Sequence, residues 1–91
     1  MADVQVTCIN KPDRESRHEH ITHLGGAGWR LSREEVIRRI EGTIDTFYTS
    51  VGGKRADVGV RREAGKAPYV QTHADGQWNN NLLALTECLL A

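Results

Sequence analysis

Leu31-Ser32-Arg33-Glu34-Glu35-Val36-Ile37-Arg38-Arg39-Ile40-Glu41-Gly42 is the stretch whose reading decides the architecture. Ser32 is a good N-cap, and Glu35 follows three residues on, which is the capping-box spacing. Leu31 and Val36 stand at the N′ and N4 positions of a hydrophobic staple. Val36, Ile37 and Ile40 form one apolar stripe, and Glu34 with Arg38 and Glu35 with Arg39 have i,i+4 spacing outside it. Glutamates lead and arginines follow, as the helix dipole favours, and Gly42 is placed for a left-handed C-terminal cap. The spacing predicts a helix over about 33 to 41.

C-terminal to this helix, runs 44 to 51 and 55 to 62 flank Gly52-Gly53. Two central residues able to take positive φ predict a primed hairpin turn, with Val51 opposite Lys54. The same register sets Thr49 opposite Ala56 and Phe47 opposite Val58, on one face with Val60, and places Tyr48 opposite Asp57 on the other. Glu63 to Ala67 reads as a turn, Pro68 as the lead into a strand from Tyr69 to His73, and Ala74-Asp75-Gly76 as a break. The terminal leucines 82, 83, 85, 89 and 90 suit either a short helix or an irregular segment laid across the core.

N-terminal to the helix, residues 3 to 9 mix alternation with β-branched side chains and read as a strand. Asn10 to Ser16 is turn chemistry around Pro12, and residues 18 to 24 read as a second strand, antiparallel to the first across a long loop. Gly25, Gly26 and Gly28 break that pattern. The expected fold is α+β, one domain over residues 1–91. It has a mostly antiparallel sheet of about five strands in the order β-β-α-β-β-β, with the helix on one face.

Composition narrows the function. Hydrophobic residues make 38% of the 91 and charged residues 26%, unlike a disordered tail. No apolar run approaches the roughly 20 residues of a bilayer span, and no export signal is visible, so a cytoplasmic chain without membrane partners is expected. Twelve basic residues balance twelve acidic ones, which argues against a nucleic-acid binder that must displace counterions. Under that expectation Cys8 and Cys88 read as reduced thiols acting as small hydrophobes, although they could close a long loop in an oxidising compartment.

His18, His20 and His23 cluster, with His73 later; on a strand His18 and His20 share a face and could reach one metal ion. No second metal-ligand motif accompanies them, so no metal or cofactor is expected, and His18, His20 and His73 stand only as weak metal candidates. Cys8 beside a histidine could form a thiolate–imidazolium pair, but a thiol buried in mid-strand is inert. Gly25-Gly26-Ala27-Gly28 lacks both phosphate-loop and dinucleotide patterns, and reads as a flexible turn that positions Trp29. Arg38, Arg39, Arg55, Arg61 and Arg62 could line a nucleic-acid surface with Tyr48 as a stacking ring, against which interleaved acids argue. Asp75 to Leu83 reads as a rigid loop that either docks the leucines or displays Trp78.

Val4 to Lys11, Ile21 to Gly26, the helix with Glu34-Glu35-Val36-Ile37, Ala56-Asp57-Val58-Gly59-Val60, Pro68-Tyr69-Val70-Gln71-Thr72, Asp75-Gly76 and Asn80-Asn81-Leu82-Leu83-Ala84-Leu85 together resemble the small bacterial domain-of-unknown-function family 3892. The resemblance covers nearly the whole chain and implies a compact domain in the bacterial cytoplasm. It supplies no activity or catalytic residue. The residues themselves favour a non-enzymatic protein-interaction module, by self-association as a homodimer or with an unlike partner. Its contact candidates are Trp29, Tyr48, Trp78, Arg38 and Arg39. A nucleic-acid-binding sheet is the first alternative and a histidine metal site the second.

Overall fold

The computed structural model describes residues 2–13 and 16–88. Its helix, α1 (Arg33–Glu41), lies where the capping pattern sets it, and the Ser32 Oγ accepts the Glu35 backbone N–H at 3.2 Å. Two details differ from the sequence reading. Arg38 turns to Glu35, leaving Glu34 to pair with Arg33, so the expected Glu34–Arg38 pair is absent while Glu35–Arg39 forms. Gly42 has φ −83°, and the left-handed residue is Thr43 at φ 52°. The N–H of Ile44 reaches the Arg39 carbonyl and that of Thr43 the Ile40 carbonyl, the paired bonds of a Schellman ending. The glycine stands one position too early to serve as its left-handed residue.

Among the described residues, nine strands form two sheets. The first has five: β1 (Ala2–Gln5), β5 (Asp45–Val51), β6 (Lys54–Arg61), β7 (Tyr69–Ala74) and β8 (Gln77–Asn79), in the order β1-β5-β6-β7-β8. It is antiparallel except for β1, which runs parallel to β5. Gly52 and Gly53 both take positive φ, as a primed turn requires, and Val51↔Lys54, Thr49↔Ala56 and Tyr48↔Asp57 pair in the expected register. Phe47, Thr49, Ala56 and Val58 are buried on the face that α1 covers with Val36 and Ile37. The α+β class and the helix-covered sheet of five strands are as read from the sequence.

The second sheet was not foreseen. It has four short strands: β4 (Trp29–Ser32), β3 (His23–Gly26), β2 (Cys8–Asn10) and β9 (Thr86–Glu87). The expected single strand over 3–9 is two, β1 and β2, one in each sheet, with buried Val6 at the crossing. The expected strand over 18–24 is also corrected. His18–His20 is a 3-10 turn, and the strand begins at His23 and continues through Gly25 and Gly26 rather than breaking there. The antiparallel relation across the long loop does hold, as Asn10↔His23. Arg14 and Glu15 of that loop, and Leu89 and Leu90, lie outside the described residues; Leu82–Ala84 forms a single 3-10 turn.

The cysteines are not reduced thiols. Cys8 and Cys88 form a disulfide between chain segments 80 residues apart. The cause is the parallel pairing of β2 with β9, in which Cys8 lies opposite Thr86. The Cys88 N–H donates to Ile9 O, and Asn10 Nδ2 donates to Cys88 O, drawing the C-terminal segment onto β2. The pairing overturns the expectation of reduced thiols, which followed from the expected compartment. No helix among the described residues is long and apolar enough to cross a membrane.

Candidate functional site

The two tight hairpins of the five-stranded sheet build its open face. Across Gly52-Gly53 the register sets Tyr48 opposite Asp57. Across Asp75-Gly76, both at positive φ, Ala74 pairs with Gln77 and His73 with Trp78. Asp57 also pairs with His73, so Tyr48, Asp57, His73 and Trp78 form one cross-strand row. Side chains alternate along a strand, so this row points away from the buried Phe47 and Val58.

At the Tyr48 end, the Arg55 guanidinium lies 4.2 Å from the ring centroid. Arg55 donates to both oxygens of Asp3, at 2.8 and 3.1 Å, and to Asp57 at 3.0 Å. These bonds, with one from Thr46 Oγ1, hold the Asp3 carboxyl below its usual range. At the other end the Arg61 guanidinium lies 4.8 Å from the Trp78 ring and donates to Gln71 Oε1 at 3.0 Å. His73 meets Trp78 edge-on, with centroids 5.3 Å apart. Both rings lie close over Gly59: a methyl group there would stand 3.0 to 3.1 Å from them, so a side chain would push the rings off the sheet. Trp78 nevertheless keeps 43% of its surface exposed.

The β5–β6 ladder ends at Tyr48↔Asp57, and beyond it lies a cleft of about 470 Å³. Buried Phe47 and Val58 with half-buried Ile40 supply its apolar part; Asp3, Arg55, Asp57 and His73 supply its polar part. An apolar base with a few convergent polar groups is the usual make-up of a binding site. A larger hollow of about 500 Å³, between Ile9, Pro12, Leu83 and Leu85, shares no residue with this face.

Of the contact candidates read from the sequence, Tyr48 and Trp78 share this face, three strand spacings or about 14 Å apart. Trp29 lies elsewhere, half-buried, its ring 5.7 Å from that of Phe47 and packed on the core. Arg38 and Arg39 sit on α1 bound to Glu35, and Arg39 also reaches Asp45 at 2.8 Å. Arg62 pairs with Glu41 of the same helix. The five arginines therefore divide: Arg55 and Arg61 on the open face, and the other three tied to acids on or beside the helix.

The histidines are separated too. His18 is buried and His20 exposed on one 3-10 turn, so they do not share a strand face, and His73 belongs to the open sheet face. No three His, Cys, Asp or Glu side chains gather as a metal-binding group among the described residues. Cys8, bonded to Cys88, has no thiolate with which to form the imidazolium pair considered above. Strand β8, which carries Trp78, lies where the sequence reading expects a rigid loop, although its signal is in the sequence. Asp-Gly is a two-residue hairpin dipeptide, and pairing across it delivers Trp78 to His73.

Comparison with known proteins finds no match among curated proteins and none among solved structures. It does find a family: residues 5–86 match the one described as Protein of unknown function (DUF3892), and the chain belongs to it.

Proposed function

We propose that the domain is a non-enzymatic protein-interaction module whose contact surface is the open face of the five-stranded sheet, and that a second copy of the chain is the occupant it fits. The observation that carries this reading is Trp78, 43% exposed yet fixed between Arg61, His73 and Gly59. A rigid tryptophan flanked by arginine is the kind of group that dominates interface energetics.

The charge pattern supports a protein over a phosphate backbone, because Arg55 is already shared between Asp3 and Asp57. It is also self-complementary: the Asp3–Asp57 end carries an acidic excess, and the Trp78 end carries Arg61. A two-fold arrangement lays the Trp78 end of one copy against the Asp3–Asp57 end of the other. Five strands span only about 19 Å, so the contact is small and the association weak.

Sedimentation equilibrium from micromolar to millimolar protein tests this. The wild type dimerises with increasing concentration, and Trp78→Ala stays monomeric. A wild type that remains monomeric throughout overturns self-association.

One observation favours a second reading, single-stranded nucleic acid: Arg55 over Tyr48 and Arg61 over Trp78 are arginine–ring pairs on an open sheet, where unpaired bases stack in other proteins. Binding of a labelled single-stranded oligonucleotide at low salt, weakened by added salt and by Trp78→Ala, would favour it over the protein reading.

A further inference from the structure

We propose that the cavity beside His18 binds a small oxyanion, a phosphate or carboxylate group on a hydrophilic ligand. The inference goes beyond the docking face, which the cavity adjoins: Arg61 and its partner Gln71, met at the Trp78 end, line both. The cavity, about 270 Å³, lies beside the first half of β7. Strand β8 begins pairing only at Thr72, and the His18–His20 turn packs against β7.

Its wall presents three cations, Arg17, Arg61 and Lys66, against two carboxylates, Glu19 and Glu63. Tyr69, Gln71 and Asn80 complete it, with no aliphatic side chain, so the space suits a ligand that is polar all round. The acids are only partly committed to the cations. Glu63 accepts the Tyr69 hydroxyl at 2.6 Å, whereas Lys66 Nζ stands 3.5 Å from Glu63 and 3.7 Å from Glu19, and Arg61 lies 3.7 Å from Glu63. These separations are at or beyond hydrogen-bond reach, leaving donors that an incoming oxyanion can recruit.

The independent sign is His18 itself. It forms part of the wall, is only 6% exposed, and its buried Nε2 has no hydrogen-bond partner. Buried polar atoms are almost always paired, and an exception asks what else meets them. A neutral imidazole can present Nε2–H as a donor. Burial holds the His18 pKa below its ordinary value; Arg17, Arg61 and Lys11 act in the same direction, and Glu19 opposes them. A bound oxyanion reverses that balance by adding negative charge beside the ring.

The test follows the four histidine ring signals by NMR while inorganic phosphate, or separately succinate, is titrated into the intact protein at constant ionic strength. His18 is identified by through-bond assignment. A saturable shift of His18 alone, with a raised titration midpoint, supports the site. Lys66→Ala, a change at an exposed position that leaves the fold intact, weakens that shift by about tenfold in affinity. Response to phosphate alone assigns a phosphoryl ligand, and response to succinate alone a carboxylate; response to both leaves the oxyanion as the recognised group. No saturable His18 shift with either anion, an equal shift in all four histidines, or full affinity in Lys66→Ala overturns the proposal.

Discussion

Each sheet takes in one distant parallel strand, but only the four-stranded sheet locks that junction with a covalent bond. From β5 to β8 the five-stranded sheet grows by local steps, Val51 pairing with Lys54 and Ala74 with Gln77 across two residues each, and only β1 joins it from a distance, parallel to β5. The four-stranded sheet also holds a local hairpin, Gly26 opposite Trp29, but it is completed by distant segments, with β2 parallel to β9 and a disulfide closing the junction. Local pairing costs little loop entropy, whereas joining the two ends of a chain costs much more. Each sheet is therefore vulnerable at a different place: the first in its turns and register, the second in one covalent bond.

The largest expected effect breaks that bond. The crosslink joins positions 80 residues apart, for which the chain-entropy account gives about 4.5 kcal/mol. Denaturant unfolding with and without reductant, and of a Cys88→Ser variant, measures it. Hydrogen exchange should show the Ile9 and Leu24 amides losing protection before those of β6 and β7. Equal stability with and without reductant, or a uniform loss over both sheets, contradicts the contrast.

Gly25 sharpens the same prediction. It lies opposite Cys8, and a methyl group there would stand 2.9 Å from both sulfurs and 3.1 Å from the Trp29 carbonyl oxygen. Gly25→Ala is expected to cost about 2 kcal/mol in the oxidised protein, as overpacking commonly does. In a Cys8→Ser/Cys88→Ser background the cost should shrink, because the sulfurs no longer crowd that space. A double-mutant cycle by urea unfolding reads the coupling; additivity would show that Gly25 answers to the Trp29 carbonyl instead.

These vulnerabilities match what could and could not be read from residues alone. Ser32 with Glu35, and Gly52 with Gly53, act through neighbours within a few positions, and the helix and central hairpin were legible from them. Cys8 meeting Cys88 depends on β9 docking beside β2, and two residues of strand give no periodic signal. His18 to Leu24 misled because alternation over a short run does not distinguish a strand from a 3-10 turn with a strand behind it. At the candidate site, Tyr48 and Trp78 were legible as contact candidates; on the open face Tyr48 is half-buried and Trp78 exposed. That Arg55 and Arg61 join them, while Arg38, Arg39 and Arg62 go to the helix side, depended on the faces set by register.

The helix ending offers a smaller test on the legible side. Thr43, β-branched, occupies the left-handed position that a Schellman ending reserves for glycine, while Gly42 spends its freedom at an ordinary φ. Thr43→Gly should therefore raise stability by about 0.5–1 kcal/mol, despite glycine's greater freedom when unfolded. Thermal unfolding checks the sign. A loss would mean that the Thr43 side chain, whose hydroxyl donates to Gly42 O at 2.7 Å, matters more than the backbone strain.

The smallest effect concerns how α1 is tied to the first sheet. Glu35 accepts from Arg39 at 2.9 Å, Arg39 donates onward to Asp45 at 2.8 Å, and Asp45 accepts the Ala2 N–H at 3.2 Å, linking α1 to β5 and β1. Hydrogen bonds from Arg38 and Arg39 hold the Glu35 carboxyl down to about 2, from an ordinary 4.5. The unfolded chain therefore takes up this proton first as acid is added. The stabilisation is complete above about pH 4.5 and fades as pH falls toward 2. Glu35→Gln should lower the melting temperature slightly at neutral pH and flatten its decline between those limits, and added salt should shrink the difference because the pairs face solvent. An unchanged acid slope in Glu35→Gln would assign the loss to Asp3 and Asp45, whose carboxyls are lowered by Arg55 and Arg39. Either result separates the two regions again, since acid loosens the charged tie of helix to five-stranded sheet while leaving the disulfide of the other sheet closed.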